Sequence, residues 1–203
     1  MPMRRSPGSL TPTDLVAMNA QLNIYTPLGQ DGYELCHPVR ANDFETIAVA
    51  TGGTPRHGGW KQIPVTLIRN DETQNLVESD SPWLGSHALI FRARAVKSMG
   101  KVLSDFGELL HLACSEANVW VYNAARLVDA LDESASSVRR FKDGRIMMVE
   151  RYVFRAAAVR GIDAFKIPHL RVSPTFLSQR FVDRWNESGL KGLEFKQVWA
   201  SPN

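Results

Sequence analysis

Residues 178–199, SQRFVDRWNESGLKGLEFKQVW, contain the clearest helix-to-strand boundary of the chain. Ser178 is a good N-cap residue, and the apolar stripe of the following helix consists of Phe181, Val182 and Trp185. Gly189 stands where a left-handed residue ends many helices, an ending that brings the next apolar residue, Leu190, onto the helix. Residues 193–199 then alternate apolar and polar side chains, as a half-buried strand does. The segment therefore predicts a helix that packs on a sheet.

The rest of the chain mixes strand and helix patterns without the regular spacing of βαβ units. A helix is predicted over 95–106, and Lys142-Asp143-Gly144 predicts the turn of a hairpin. Strands are predicted over 32–39, 46–50, 65–68, 88–91, 108–113, 119–128, 138–141 and 145–154. We predict an α+β fold, with a mixed, mostly antiparallel sheet and a few helices packed on it. It forms one compact domain over 13–203, preceded by a flexible N-terminal tail over 1–12.

Composition excludes several classes of protein. The 203 residues are 44% hydrophobic and 22% charged, which is typical of a globular protein. No 18-residue apolar run predicts a membrane span, and no apolar segment follows Arg4 and Arg5 as in a secretory signal. The two cysteines are far apart and fit reduced thiols. We therefore expect a cytoplasmic protein. The net charge of +3 divides into −4 over residues 1–137 and +7 over 138–203.

Catalytic and metal-binding motifs do not stand out in the sequence. The glycine-rich segment 51–59 lacks the Lys-Ser/Thr pair of a phosphate-binding loop, so we interpret it as a flexible connector. The five histidines occur singly, and Gly85-Ser86-His87 is not a nucleophile elbow. Asp129 and Asp132 suit turn capping. We predict no catalytic residue, no cofactor, no metal and no small-molecule substrate, although a hydrolase site assembled from distant residues remains an alternative.

Nucleic-acid binding is the main alternative function. The basic residues of the 139–155 hairpin are Arg139, Arg140, Lys142, Arg145, Arg151 and Arg155, with Phe141 and Tyr152 between them. Strand alternation would place Arg145, Met147, Val149, Arg151 and Val153 on one face, where apolar neighbours dilute the arginines. Such a face makes a discontinuous phosphate track. No known RNA- or DNA-binding signature accompanies it.

Several blocks occur in a characteristic order over 108–200. They are Val128-Asp129-Ala130-Leu131-Asp132, Asp143-Gly144-Arg145-Ile146, Gly161-Ile162-Asp163-Ala164-Phe165-Lys166, Ser178 with Phe181, and Gly189-Leu190-Lys191-Gly192-Leu193-Glu194-Phe195. In this order the chain resembles the immunity proteins of bacterial polymorphic toxin systems, in the group numbered eleven. It has no CxxC-Gly motif, so related zinc-type immunity proteins fit less well.

The resemblance implies a binder that neutralises a cognate toxin domain inside the producing cell, in competition between bacteria, and it supplies no catalytic residues. The matched blocks do not fix the contact residues, and loops outside the blocks are the expected contact surface. The acidic run over 71–80 is predicted to be an exposed loop, and Trp83 after it is predicted to be exposed. Together they combine charge with an aromatic anchor. Many toxin domains are basic, and an acidic patch speeds association with a basic partner. The candidate contact residues are Asp71, Glu72, Glu78, Asp80 and Trp83.

Overall fold

A computed structural model describes residues 21–56, 58–70, 74–170 and 172–202. The predicted tail over 1–12 lies outside these residues, as do Asp71 and Glu72. The described helices are α1 (Asp43–Ala50), α2 (Ala93–Phe106), α3 (Ala156–Val159) and α4 (Gln179–Glu187). The described strands are β1 (Asn23–Gly29), β2 (Leu35–Pro38), β3 (Val65–Ile68), β4 (Leu89–Arg92), β5 (Glu108–His111), β6 (Val119–Asn123), β7 (Ser137–Arg140), β8 (Ile146–Arg151), β9 (Ala164–Phe165), β10 (Phe176–Ser178) and β11 (Leu193–Ala200).

The strands of the described residues form four antiparallel sheets, which confirms the α+β prediction. A four-stranded sheet has the order β11-β1-β10-β9, and a three-stranded sheet has the order β4-β6-β5. The pairs β2-β3 and β7-β8 complete the set. In the larger sheet β1 pairs with β11 from Asn23 opposite Ala200 to Gly29 opposite Leu193. The first described strand, β1, is therefore paired with β11 along one edge and with β10 along the other.

The helix-to-strand boundary predicted from the sequence is confirmed. The Ser178 hydroxyl accepts a hydrogen bond from the backbone N–H of Phe181 at 3.2 Å, which caps α4. Gly189 ends the helix with φ of +61°. Leu190 then joins the buried cluster that contains Trp185. The local signals of residues 178–190 thus determine both ends of α4.

The strand predicted over 46–50 is wrong, because this segment belongs to helix α1. Its buried residues, Asp43, Ile47 and Ala50, recur at the spacing of a helix face. Arg40 pairs with the Asp43 carboxylate at 2.9 Å at the start of the helix. The Thr51 hydroxyl donates to the carbonyl of Ile47 at 2.9 Å at its end. These end contacts and burial outweigh the strand propensity of Thr-Ile-Ala-Val-Ala.

Two core clusters meet at the three-stranded sheet, which is buried on both faces. Leu89 and Phe91 of β4 contact α2 and α4 in one cluster, together with Tyr122 of β6. Ile90 of β4 and Val121 of β6 point to the opposite face and join α1, β2 and β3 in a second cluster. This alternation follows the period of two residues in a strand. A third cluster, rich in aromatic rings, is formed by the C-terminal elements.

The β7-β8 hairpin forms at the predicted turn, where Gly144 has φ of +86°. Irregularities in pairing interrupt the register between Ser137 and Val138 and between Arg139 and Arg140. As a result Ile146 and Val149, three residues apart, both face the core. The prediction of strict alternation, with Val149 sharing a face with Arg145 and Arg151, is therefore wrong. Extra residues at bulges shift the side-chain pattern.

Candidate functional site

The acidic candidate residues that are described differ in their exposure. Glu78 has a side chain that is 66% exposed. Asp80 is buried, which contradicts its expected position in an exposed loop. Its carboxylate lies 2.7 Å from Nη1 of Arg94 and accepts from the backbone N–H of Lys191 at 2.9 Å. Trp83 is half-buried and packs beside Gly29 and the first core cluster. Among the described candidates, Glu78 is the exposed carboxylate, and it also lies 3.5 Å from Nη2 of Arg92.

A buried carboxylate lies next to Glu78 and Asp80. Glu34, directly before β2, is fully buried. Its carboxylate oxygens accept hydrogen bonds from Arg92 Nη2 at 2.8 Å and from Arg69 Nε at 2.9 Å. The backbone N–H of Ser79 donates to the same carboxylate at 3.1 Å. Arg69 also lies 3.1 Å from Glu116. This network ties the segment before Asp80 to β2, β3 and β4, so its role is structural.

The basic hairpin carries its own counter-charges. Four of its arginines form ion pairs with carboxylates, namely Arg139 with Glu150 at 3.1 Å, Arg145 with Asp143 at 2.7 Å, Arg155 with Asp129 at 2.9 Å, and Arg140 with Glu133. Phosphates would have to displace these partners. The geometry therefore gives no support to nucleic-acid binding by the hairpin.

A groove of about 850 Å³ lies between the hairpin and the loop that contains His169 and Leu170. Phe141 lines it with 47% of its surface exposed, and the Arg145 guanidinium lies 5.6 Å from the centre of its ring. Met147 and Met148 are also large exposed apolar residues of this hairpin. The hairpin therefore carries three large exposed apolar side chains, one of which lines the groove.

A smaller pocket of about 220 Å³ adjoins this groove and shares His169 and Leu170 with it. Its polar wall contains Lys166, and its apolar wall includes Leu127 and Val172. The glycine-rich connector also takes part, because Gly52 lines the pocket. The lining residues come from α1, from the segment before β4, from the segment after β6 and from the loop after β9.

Lys166 is 1% exposed and is among the largest fully buried side chains of the described residues. Its Nζ donates to the carbonyl oxygens of His87 at 2.7 Å and Ser173 at 2.9 Å. Within the described residues, no carboxylate forms an ion pair with it. Burial lowers the pKa of Lys166 to about 7. Burial and the nearby Lys166 charge also lower the pKa of His87. The pocket is therefore a site with a buried amine and no counter-ion among these residues.

The buried amine predicts a dependence of stability on pH. The unfolded lysine has its ordinary pKa of 10.5, so the folded protein binds fewer protons than the unfolded chain between about pH 7 and 10.5. The stability therefore rises with pH in this window. We expect the free energy of unfolding of the native protein, minus that of Lys166→Met, to rise by up to about 4 kcal/mol from pH 7 to pH 10. Urea unfolding at several pH values measures it.

Lys166→Met also leaves two buried carbonyl groups without a hydrogen-bond donor. This loss lowers the free energy of unfolding of the variant by the same amount at every pH. Lys196→Met is the matched control, because Lys196 is exposed on β11. The free energy of unfolding of Lys196→Met should differ from that of the native protein by the same amount at every pH from 7 to 10. If the difference between the native protein and Lys166→Met is also independent of pH, the amine of Lys166 is not buried without a counter-ion.

Among the described residues, no group of three His, Cys, Asp or Glu side chains is arranged to hold a metal ion. Burial raises the pKa of the Cys36 thiol to about 12, which makes it a poor nucleophile. Asp132 accepts from the backbone N–H groups of Ser134 and Ala135, which confirms its predicted role as a turn cap. Across the described part of the chain, no helix is both long and apolar enough to span a membrane.

The sequence did not identify Lys166 as a functional candidate, although it lies in one of the ordered blocks. Lysine is almost always exposed, and the buried amine here depends on the carbonyl of His87, which is distant in sequence, and on that of Ser173. The feature of the sequence that could have indicated a buried lysine is its position directly after the apolar pair Ala164 and Phe165, which is buried in the structure.

The comparison with protein families agrees with the resemblance found in the ordered blocks. A comparison with curated proteins finds no match for the chain. Residues 113–200 match the model described as the immunity protein family Imm11. The match covers the β7-β8 hairpin, Lys166, α4 and β11, and it leaves the first 112 residues outside. In this C-terminal part, the chain is therefore similar to Imm11 immunity proteins.

Proposed function

We propose that this protein is a bacterial immunity protein of a polymorphic toxin system. It binds a cognate toxin domain in the cytoplasm of the producing cell and neutralises it as a non-covalent complex, without catalysis. The match of residues 113–200 to an immunity protein family is the observation that carries this proposal. An immunity protein acts by occupying its toxin, so the partner is a protein.

The exposed surface of the matched segment supports a binding role. Phe141, Met147 and Met148 are each more than two-fifths exposed on the hairpin. Aromatic and methionine side chains are enriched at protein interfaces. Four of the five arginines of the hairpin are already ion-paired, which favours a protein surface over a phosphate backbone as the ligand.

The experiment that tests this function is co-expression with the toxin-like gene beside the gene for this chain. We expect growth to be restored and the two proteins to purify together. A matched vector without the immunity gene controls for toxicity. Failure of rescue with every neighbouring product, or retention of the purified protein on DNA or RNA in place of a protein partner, would contradict the proposal.

We also propose that the acidic segment assists association with the toxin. The candidates are Asp71, Glu72, Glu78, Asp80 and Trp83. Because Asp80 is paired with Arg94 and Trp83 packs on the core, the charge effect is expected from the other three. Charges at the edge of an interface mainly change the association rate. Reversing Asp71, Glu72 and Glu78 to lysine should slow association about tenfold at low salt.

Stopped-flow binding at two salt concentrations measures this effect. The difference between native and reversed proteins should shrink as salt rises, because salt screens exposed charges. Glu187→Lys, at an exposed position on α4, is the single-charge control and is expected to change the rate less. Equal association rates and equal salt dependence for native and reversed proteins would remove the acidic segment from the contact surface.

A further inference from the structure

The pocket over Lys166 contains an amine whose protonated form has no counter-ion among the described residues. An ammonium group has three N–H donors, and two of them are used by the carbonyls of His87 and Ser173. Burying a charge without a partner is costly, and the cost is offset when a carboxylate pairs with it in good geometry. The pocket is therefore complementary to a negatively charged group that can also bond the third N–H.

The other titratable groups of the pocket are histidines. His87 comes from the segment before β4, and His169 comes from the loop after β9. Within the described lining residues there is no acidic side chain. An entering carboxylate therefore meets no like charge there. His169 is also the described non-glycine residue with positive φ, at +72°. Strained backbone of this kind is concentrated at functional sites.

The mouth of the pocket is apolar and exposed. Leu127 and Val172 line the pocket and are 51% and 46% exposed. The larger groove continues from the pocket through His169 and Leu170. A free carboxylate of a few atoms would leave this apolar rim in water. A protein loop that inserts one acidic side chain would cover the rim and exclude water from the ion pair, as at interface hot spots.

We propose that the pocket over Lys166 receives an aspartate or glutamate side chain of the toxin, with Leu127 and Val172 as the apolar rim around the ion pair. This inference rests on the proposed function and specifies one contact of that complex. The carboxylate of the acidic side chain accepts a hydrogen bond from the third N–H of Lys166, and the ion pair holds the amine in its protonated form. Binding therefore takes up a proton whenever the free protein has a neutral amine.

Calorimetry of toxin binding at pH 8, in buffers of different ionisation enthalpy, tests the inference. The native protein is expected to take up roughly one proton on binding, because the pKa of Lys166 in the free protein is about 7. Lys166→Met should lose this uptake and weaken binding about 100-fold, the loss typical of a buried charge pair. Lys196→Met, at an exposed position, should keep both the affinity and the proton uptake.

Two rim variants keep the test decisive if Lys166→Met folds poorly. Leu127→Ser and Val172→Ser change exposed side chains, so the fold should persist while binding weakens about tenfold. Native affinity and proton uptake in Lys166→Met, or native affinity in both rim variants, would overturn the inference and leave the proposed function intact. Saturable, Lys166-dependent binding of free glutamate, together with native toxin affinity in Lys166→Met, would assign the pocket to a small carboxylate and overturn the inference. Absence of toxin binding by the native protein would overturn both.

Discussion

Glu34→Gln is expected to lower the free energy of unfolding by about 3–5 kcal/mol. Glu34 is fully buried, and its carboxylate binds Arg92 at 2.8 Å and Arg69 at 2.9 Å. Glutamine keeps the size of the side chain but removes its charge. Arg92, whose side chain is 13% exposed, then loses its buried counter-ion. One amide N–H would also face the guanidinium groups or the N–H of Ser79. Urea unfolding at pH 7 measures the loss.

Glu78→Gln is the matched control for this variant. Glu78 belongs to the same cluster and lies 3.5 Å from Arg92, but its side chain is 66% exposed. Removing its charge is expected to cost less than about 1 kcal/mol, as for other surface ion pairs. Equal losses in the two variants, or no loss in Glu34→Gln, would show that the buried network does not hold β2, β3 and β4 together.

Gly192→Ala is expected to destabilise the protein by about 3 kcal/mol or more. Gly192 has φ of +101°, and an ideal Cβ there would lie 2.6 Å from Cβ of Ser79 and 2.7 Å from the carbonyl oxygen of Ser81. The crossing chain is held by the bonds of Asp80 to Lys191, so it cannot move away freely. Thermal unfolding of the variant should show a clear fall in Tm.

Gly144→Ala separates the cost of the backbone from the cost of the clash. Gly144 also has positive φ, at +86°, but nothing lies within 4 Å of an added Cβ. Its replacement is expected to cost about 1–2 kcal/mol, from the left-handed backbone alone. If Gly192→Ala costs no more than Gly144→Ala, the close crossing of 79–81 over Gly192 is not present in solution.

The features that were predictable from the sequence are those with a local cause. A capping hydroxyl at Ser178, a positive φ at Gly189 and an Asp-Gly turn at Gly144 each depend on a few neighbouring residues. Side-chain chemistry at such positions sets the backbone directly. The α+β class follows from the same signals, because they mark where helices and strands begin and end.

The predictions that were wrong depend on contacts between distant residues. Helix α1 forms from a strand-like sequence because Asp43, Ile47 and Ala50 are buried on one face. The β7-β8 pairing shifts register at two points, so Ile146 and Val149 face the core together. The local order of apolar and polar residues indicates neither the packing partner of a helix nor a bulge in a hairpin.

Parts of the candidate site were predictable from the sequence and parts were not. The acidic segment is visible in the sequence, but Asp80 is buried because it pairs with Arg94 and with the backbone of Lys191, which is distant in sequence. The pocket over Lys166 is assembled from the segments around Gly52, His87 and Leu127 and the loop after β9. A pocket of this kind depends on tertiary packing, and single residues of the sequence do not indicate it.

The most direct test of the central claim is a titration of purified toxin domain with this protein while the toxin's activity is measured. Neutralisation by a tight complex predicts that activity falls in proportion to added protein and ends at a fixed molar ratio. The complex should elute as one species in size-exclusion chromatography at that ratio. Full toxin activity in the presence of excess protein, with the two eluting separately, would contradict the claim.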